Sequence, residues 1–246
     1  MLTSIDLNCD LGEGCPNDAE LMKYISSANI ACGFHAGDAA TMKRTVELAL
    51  ESNVAIGAHP GYEDRANFGR IEKKLPPDEL IELISIQVNS LIAICRTIGA
   101  KVVHVKPHGA LYNRSAKDPE TAAAIAEAVK RIDRNLVLFG LSGSHSIAEA
   151  ERIGLRTASE VFADRTYRDD GSLTPRSEPN ALITSTEESI EQVLNMIKYG
   201  RVRTTDGLMI QITAGTICVH GDGEHAVEFA RSIKIALSKN GVPVAN

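Results

Sequence analysis

Short apolar runs alternate with amphipathic stretches along the whole chain. The runs fall at residues 2–8, 29–31, 54–57, 101–105, 136–139, 155–159 and 216–219, each too short or too evenly apolar for an amphipathic helix, so each reads as a buried strand. Helical spacing fills the intervals. Met42, Val46, Ala49 and Leu50 share one face, and Leu80, Leu83, Ile84, Val88, Leu91, Ile94 and Ile98 form another, opened by Pro76, Pro77 and Asp78 and stopped at Gly99. Asp118 and Pro119 open a third helix carrying Ile125, Val129 and Ile132. A fourth starts at Ser144 or His145, a fifth at Thr186, and a sixth near Gly223 with Val227, Ala230, Ile233 and Leu237.

Strand followed by helix, repeated about seven times, predicts an α/β fold with a parallel sheet covered by helices. No G-x-G-x-x-G follows the first strand, so the dinucleotide-binding open sheet loses its signature and a closed β/α barrel of about seven strands is favoured. No linker, repeat or composition break divides residues 1–246, which predicts a single domain. Residues 160–185 separate a strand from a helix by more than an ordinary connection and read as a lid or binding loop.

Composition narrows the function. With 26 basic and 32 acidic residues the net charge is -6, and no basic block offers a nucleic-acid footprint. The most apolar long segment, residues 80–98, is interrupted by Glu82, Gln87, Asn89 and Arg96, and the N-terminus lacks the pattern of a signal peptide; neither a membrane span nor export is expected. Five cysteines without a CxxC pair fit reduced thiols in the cytoplasm. Aromatics make up only 4% of the chain, so the core must be aliphatic.

Polar residues gather where the strands end, the face on which parallel α/β folds build their sites. The first strand leads through Asp6, Asn8, Asp10 and Glu13, the second through Asn29, His35 and Asp38, and the third to His59, Tyr62 and Arg70. The fourth gives Lys106, His108, Tyr112 and Asn113; the sixth gives Glu160, Asp164, Arg165 and Tyr167; the seventh gives His220 and Asp222. Asp6, Asn8 and Asp10 recur with period two and share one side of a strand, inward in a barrel, where they must bond a ligand, a metal or one another. Asp38 doubles as a candidate helix cap. Gly57-Ala-His59-Pro-Gly-Tyr62 and Lys106-Pro-His108-Gly-Ala-Leu-Tyr112 repeat one arrangement of His, Pro, Gly and Tyr at a strand end.

Imidazoles serve as bases, shuttles or metal ligands, and Lys106 can bind a carboxylate or phosphate or stabilise an oxyanion, so the set suits amide or acyl hydrolysis. With no G-x-S-x-G elbow, activated water is preferred to a covalent nucleophile, Cys32 and Cys218 being minor candidates. A Walker P-loop is also absent. Two other readings stand: a metal-dependent deacetylase using Asp10, His35 and His59, and a non-catalytic subunit that binds a small acid.

The motifs beginning at Asp6, Asn29, Gly57, Val105, Glu160 and Ile217 resemble, in order and over nearly the whole chain, the LamB/YcsF family. That resemblance implies a barrel similar to those of glycoside hydrolases and deacetylases. It also implies ATP-dependent opening of 5-oxoproline to L-glutamate together with partner subunits B and C, with ATP as cosubstrate of the complex and no divalent metal specified. On that basis Asp10 or His35 with His59 would activate water, Lys106 and His108 would hold the oxyanion or phosphate, and Arg165 would pair with the substrate carboxylate.

Overall fold

The computed structural model describes residues 4–221 and 226–245. In chain order its strands are β1 (Asp6–Leu11), β2 (Ser27–Ala31), β3 (Ala55–His59), β4 (Val102–Val105), β5 (Val137–Leu141), β6 (Arg156–Phe162), β7 (Arg201–Arg203), β8 (Met209–Gln211) and β9 (Thr216–His220). β7 and β8 pair as a separate hairpin, and the other seven, all parallel, close into a barrel in the order β1, β2, β3, β4, β5, β6, β9. The expected closed barrel is therefore what the chain builds. β1 closes it by pairing with both β2 and β9, in a register that sets Asp10 beside Asn29 on one side and His220 on the other.

Helices α1 (Asp18–Leu21), α2 (Ala39–Glu51), α3 (Pro77–Ile98), α4 (Gly109–Lys117), α5 (Pro119–Ile132), α6 (His145–Arg152), α7 (Thr186–Tyr199) and α8 (Ala226–Lys239) lie between and after the strands in the chain. Their punctuation follows the sequence. Asp38 accepts from Thr41 N at 2.7 Å to cap α2, Ser185 Oγ accepts from Glu188 N to cap α7, and α3 ends on Gly99 in the left-handed region. Among the described residues, α3 is the one helix long and apolar enough to cross a membrane; its face of Leu80, Ile84, Gln87, Val88, Leu91 and Cys95 is instead buried in the protein.

Two differences from the sequence expectation stand out. Strand β1 runs on to Leu11 and β6 to Phe162, so Asp10 and Glu160 belong to the barrel wall rather than to loops. The ladder of Asp6, Asn8 and Asp10 faces inward from β1, as its period-two spacing predicts, while Leu7, Cys9 and Leu11 on the other face are buried in the aliphatic core. The α4 helix and the β7–β8 hairpin carry too few apolar positions for a periodic signal. The last helix is expected from near Gly223, but residues 222–225, including Asp222, lie outside the described residues.

Candidate active site

The barrel interior is a hydrogen-bonded polar column. At its base Asp6 accepts from Ser26 Oγ at 2.7 Å and Ser27 Oγ at 2.6 Å, and the Thr216 hydroxyl donates to its other oxygen. One layer up, Asn8 Nδ2 donates to Thr216 Oγ1 at 2.7 Å, and its Oδ1 accepts from Asn29 Nδ2 at 2.7 Å. Asn29 Nδ2 also donates to Asp10 Oδ1 at 2.9 Å. The inward polar groups of β1 thus bond one another and their neighbours, which is what makes their burial tolerable.

Above them lies Lys106, almost wholly buried. Its ammonium donates to Asp10 Oδ1 at 2.8 Å and Cys218 Sγ at 3.1 Å, and sits 2.9 Å from Glu160 Oε1. Burial opposes this charge, but Asp10 and Glu160 overcome it and hold the ammonium well above the ordinary lysine range. Burial likewise opposes the Asp10 carboxylate, yet His59 and Lys106 hold it well below the usual range. Phe162 lies under Lys106 with its ring centre 5.5 Å from Nζ, and Tyr112, its phenol raised by burial and by Glu160, packs edge-on against that ring.

At the strand ends three imidazoles surround Glu13. His59 Nδ1 meets the Lys106 carbonyl at 2.7 Å, which fixes a proton there and turns Nε2 toward Asp10 Oδ2, 3.4 Å away. His108 Nε2 meets the Phe68 carbonyl at 2.8 Å, leaving Nδ1 facing His59 Nε2 at 2.9 Å and Glu13 Oε1 at 3.2 Å. His35 Nε2 lies 3.2 Å from the same Glu13 oxygen, while its buried Nδ1 has no partner. Burial pushes the His35 imidazole down to about 4, whereas at His59 the Asp10 and Glu13 charges outweigh burial and raise it. Gly61 and Gly69 let these rings pack, since a Cβ on either would come within 2.9 Å of His35.

Glu13, His35, His59 and His108 have donor atoms close enough to hold a cation. Geometry limits the set, because the lone pair of an imidazole lies in the ring plane, and the His35 and His108 rings are stacked 3.8 Å apart and parallel to within 3°. One ion cannot lie in both planes. As placed, Glu13, His59 and one of the stacked pair can serve, which leaves an open position. Asp10, Cys218 and His220 also converge, but the Lys106 ammonium already supplies the positive charge there.

Asp10, Glu13, His59, Lys106 and His108 form the floor of a cavity of about 380 Å³, whose lining does not include His35. Its rim carries Arg70, Tyr112, Asn113, Arg176 and His220, together with residues 172–177 from the long loop after β6. His220 is aimed by Asp164, whose carboxylate accepts from its Nδ1 at 2.9 Å and its backbone N at 3.1 Å. The long loop does border the cavity, as a lid or binding loop should. Arg165 lines it too, but Nε donates to the Ala181 carbonyl at 3.2 Å and Nη2 to the Thr174 carbonyl at 2.5 Å, so much of its donor capacity ties the loop together. Asp38 caps α2 and does not line the cavity, and Asp6, Asn8 and Asn29 lie in the column beneath it.

Two residues of this arrangement escape the sequence reading. His104, which reads as part of an apolar run, points into the column; its period-two spacing with Lys106 and His108 was the available signal. Arg176 sits within the long loop, where only the chain's path brings it to the rim.

The model of the LamB/YcsF family matches residues 5–246, and the chain belongs to that family. It is 53% identical over 242 residues to a protein of Erwinia tasmaniensis named as the A subunit of 5-oxoprolinase, covering 98% of this chain and 99% of that one. Among solved structures it resembles the lactam utilization protein from Thermus thermophilus, with a TM-score of 0.91 at 41% identity over 98% of each chain. A family 4 carbohydrate esterase from Streptomyces lividans, at 11% identity and a TM-score of 0.50 over 99% of this chain and 92% of that one, shares the fold alone.

Proposed function

We propose that this chain is the A subunit of an ATP-dependent 5-oxoprolinase, acting in the cytoplasm with subunits B and C to convert 5-oxoproline to L-glutamate. Family membership and the name of a half-identical relative support the substrate. The geometric support is the buried Lys106–Asp10 pair beside His59 at the floor of a cavity with arginines on its rim.

The substrate is a five-membered lactam bearing a carboxylate. Opening it adds water to the carbonyl carbon, breaks the C–N bond and delivers a proton to the departing nitrogen. Asp10 and His59 hold and deprotonate the water, Lys106 stabilises the oxyanion, and His108, hydrogen-bonded to His59, passes the proton on. Arg176 on the rim takes the substrate carboxylate, a role for which Arg165 has fewer donors to spare. A lactam is a stable amide, so ATP-driven phosphorylation of its oxygen by the partner subunits would make the carbon more electrophilic; water addition and C–N cleavage then leave an acyl phosphate, and a second water at its carbonyl releases inorganic phosphate and glutamate. This chain then receives the activated ring.

The test is reconstitution. This chain by itself, given ATP and 5-oxoproline, should release little glutamate, and the three subunits together should release it steadily. Turnover without the partners would overturn the division of labour, and none from the full mixture would overturn the assignment.

A further inference from the structure

The column beneath the cavity contains one imidazole that touches none of the reacting groups. His104 lies inside the barrel on β4, almost completely buried, with its Nε2 2.8 Å from Asn29 Oδ1 and its ring stacked on Phe139 at 4.2 Å and 9°. The barrel makes room for it at a single point. A Cβ at Gly57, the register partner of His104 on β3, would fall 1.9 Å from Nε2, so a side chain there and this ring exclude each other.

The direction of the hydrogen bonds is dictated from the top. The Asp10 carboxylate only accepts, so the Asn29 atom 2.9 Å from Asp10 Oδ1 must be the amide nitrogen. The same nitrogen donates to Asn8 Oδ1, which also accepts from the Lys106 ammonium at 3.3 Å. With both its hydrogens directed, Asn29 must turn its oxygen toward His104, and His104 Nε2 must therefore carry a hydrogen. Reversing the Asn29 amide would face two oxygens at Asp10 and leave His104 without an acceptor.

We infer that His104 is a positioning residue for the hydrolytic step: by donating from Nε2 to Asn29 it locks the amide whose nitrogen holds Asp10 in place against Lys106 and His59. It does not line the cavity. Without that donor the Asn29 amide can rotate, Asp10 loses a fixed hydrogen bond, and the oxygen facing His59 is no longer held. The consequence falls on the chemical step rather than on binding, because the rim arginines are unaffected. The inference rests on the hydrolase reading above.

The experiment compares His104→Leu and His104→Gln in the reconstituted complex. Leucine keeps apolar bulk against Phe139 without a donor; glutamine restores an amide donor. The leucine variant should lose on the order of tenfold to a hundredfold in kcat with KM within about twofold, and the glutamine variant should regain most of the loss. A folded leucine variant with unchanged kcat, or a glutamine variant no better than leucine, would overturn the inference. Nitrogen NMR of the unaltered full chain decides the matter even if the leucine variant does not fold. It should show His104 as the neutral tautomer protonated at Nε2, and protonation at Nδ1 alone would overturn the lock. If the unaltered complex releases no glutamate, the hydrolase reading fails while the tautomer still reports on the hydrogen-bond lock itself.

Discussion

The lower column and the cavity floor are built from similar side chains only a few ångströms apart, yet they are satisfied differently. In the column each donor is matched to an acceptor: Ser26, Ser27 and Thr216 to Asp6, Asn8 to Thr216, Asn29 to Asn8 and Asp10, His104 to Asn29. Around the floor three imidazoles share one Glu13 oxygen and a buried His35 nitrogen has no partner. A matched network needs no ligand and rigidifies the barrel; an unmatched one is tolerated where a substrate, water or ion completes it. Scaffold and site are thus distinguished by completeness of hydrogen bonding rather than by residue type.

Lys106, where the two regions meet, offers the strongest way to break this contrast. Lys106→Met should abolish measurable turnover, a loss of at least about a hundredfold to a thousandfold, by removing the oxyanion's cation. It should also destabilise the chain by roughly 3–5 kcal/mol, because Asp10 and Glu160 are left buried without their counter-ion. Steady-state kinetics and urea unfolding of one preparation read both effects. Loss of activity with full stability would mean that the column does not depend on the pair. His59→Gln touches the upper region alone and should lower kcat by roughly a hundredfold or more with little change in unfolding.

The pH dependence of stability separates the regions further. Burial lowers His104 to about 4 against an ordinary 6.5. Between those values the unfolded chain binds the extra proton, so stability falls as pH drops from about 6.5 toward 4, by up to on the order of 3 kcal/mol from this group. His104→Gln should flatten that part of the curve in chemical unfolding at several pH values. His35, also lowered to about 4, should leave a second slope of the same sign.

Sequence spacing made the architecture legible because a parallel barrel writes itself as strand and helix in turn. Asp10, His59, Lys106 and His108 were legible because each stands at or just beyond the end of a strand with a polar residue where an apolar one is expected. His104 was not, since a single imidazole between Val103 and Val105 reads as part of an apolar run until the barrel shows which way it points. Nor could spacing say that Arg165 would be drawn into carbonyls of its own loop while Arg176, eleven positions on, reached the rim. Those outcomes depend on the path of the loop, which carries no periodicity.

The smaller predictions test that division of labour. Arg176→Ala should raise KM about tenfold and leave kcat nearly unchanged, as expected for a group that binds the substrate carboxylate equally in ground and transition states. Arg165→Ala should instead loosen the loop, read as faster proteolysis within residues 163–185, because the Thr174 carbonyl loses the Arg165 donor and the Ala181 carbonyl keeps only Thr166 N.

Asp38 marks the far end of the scale. It directly follows a His-Ala-Gly motif that looks catalytic, but its carboxylate is exposed and accepts from Thr41 N. That bond lowers its pKa, so the cap is present above the ordinary aspartate range and fades as pH falls through the depressed value. Asp38→Ala should lower the melting temperature at neutral pH by only about 2 °C and leave both kcat and KM unchanged. A clear rise in KM would move Asp38 from the scaffold to the site and erase the distinction at that position.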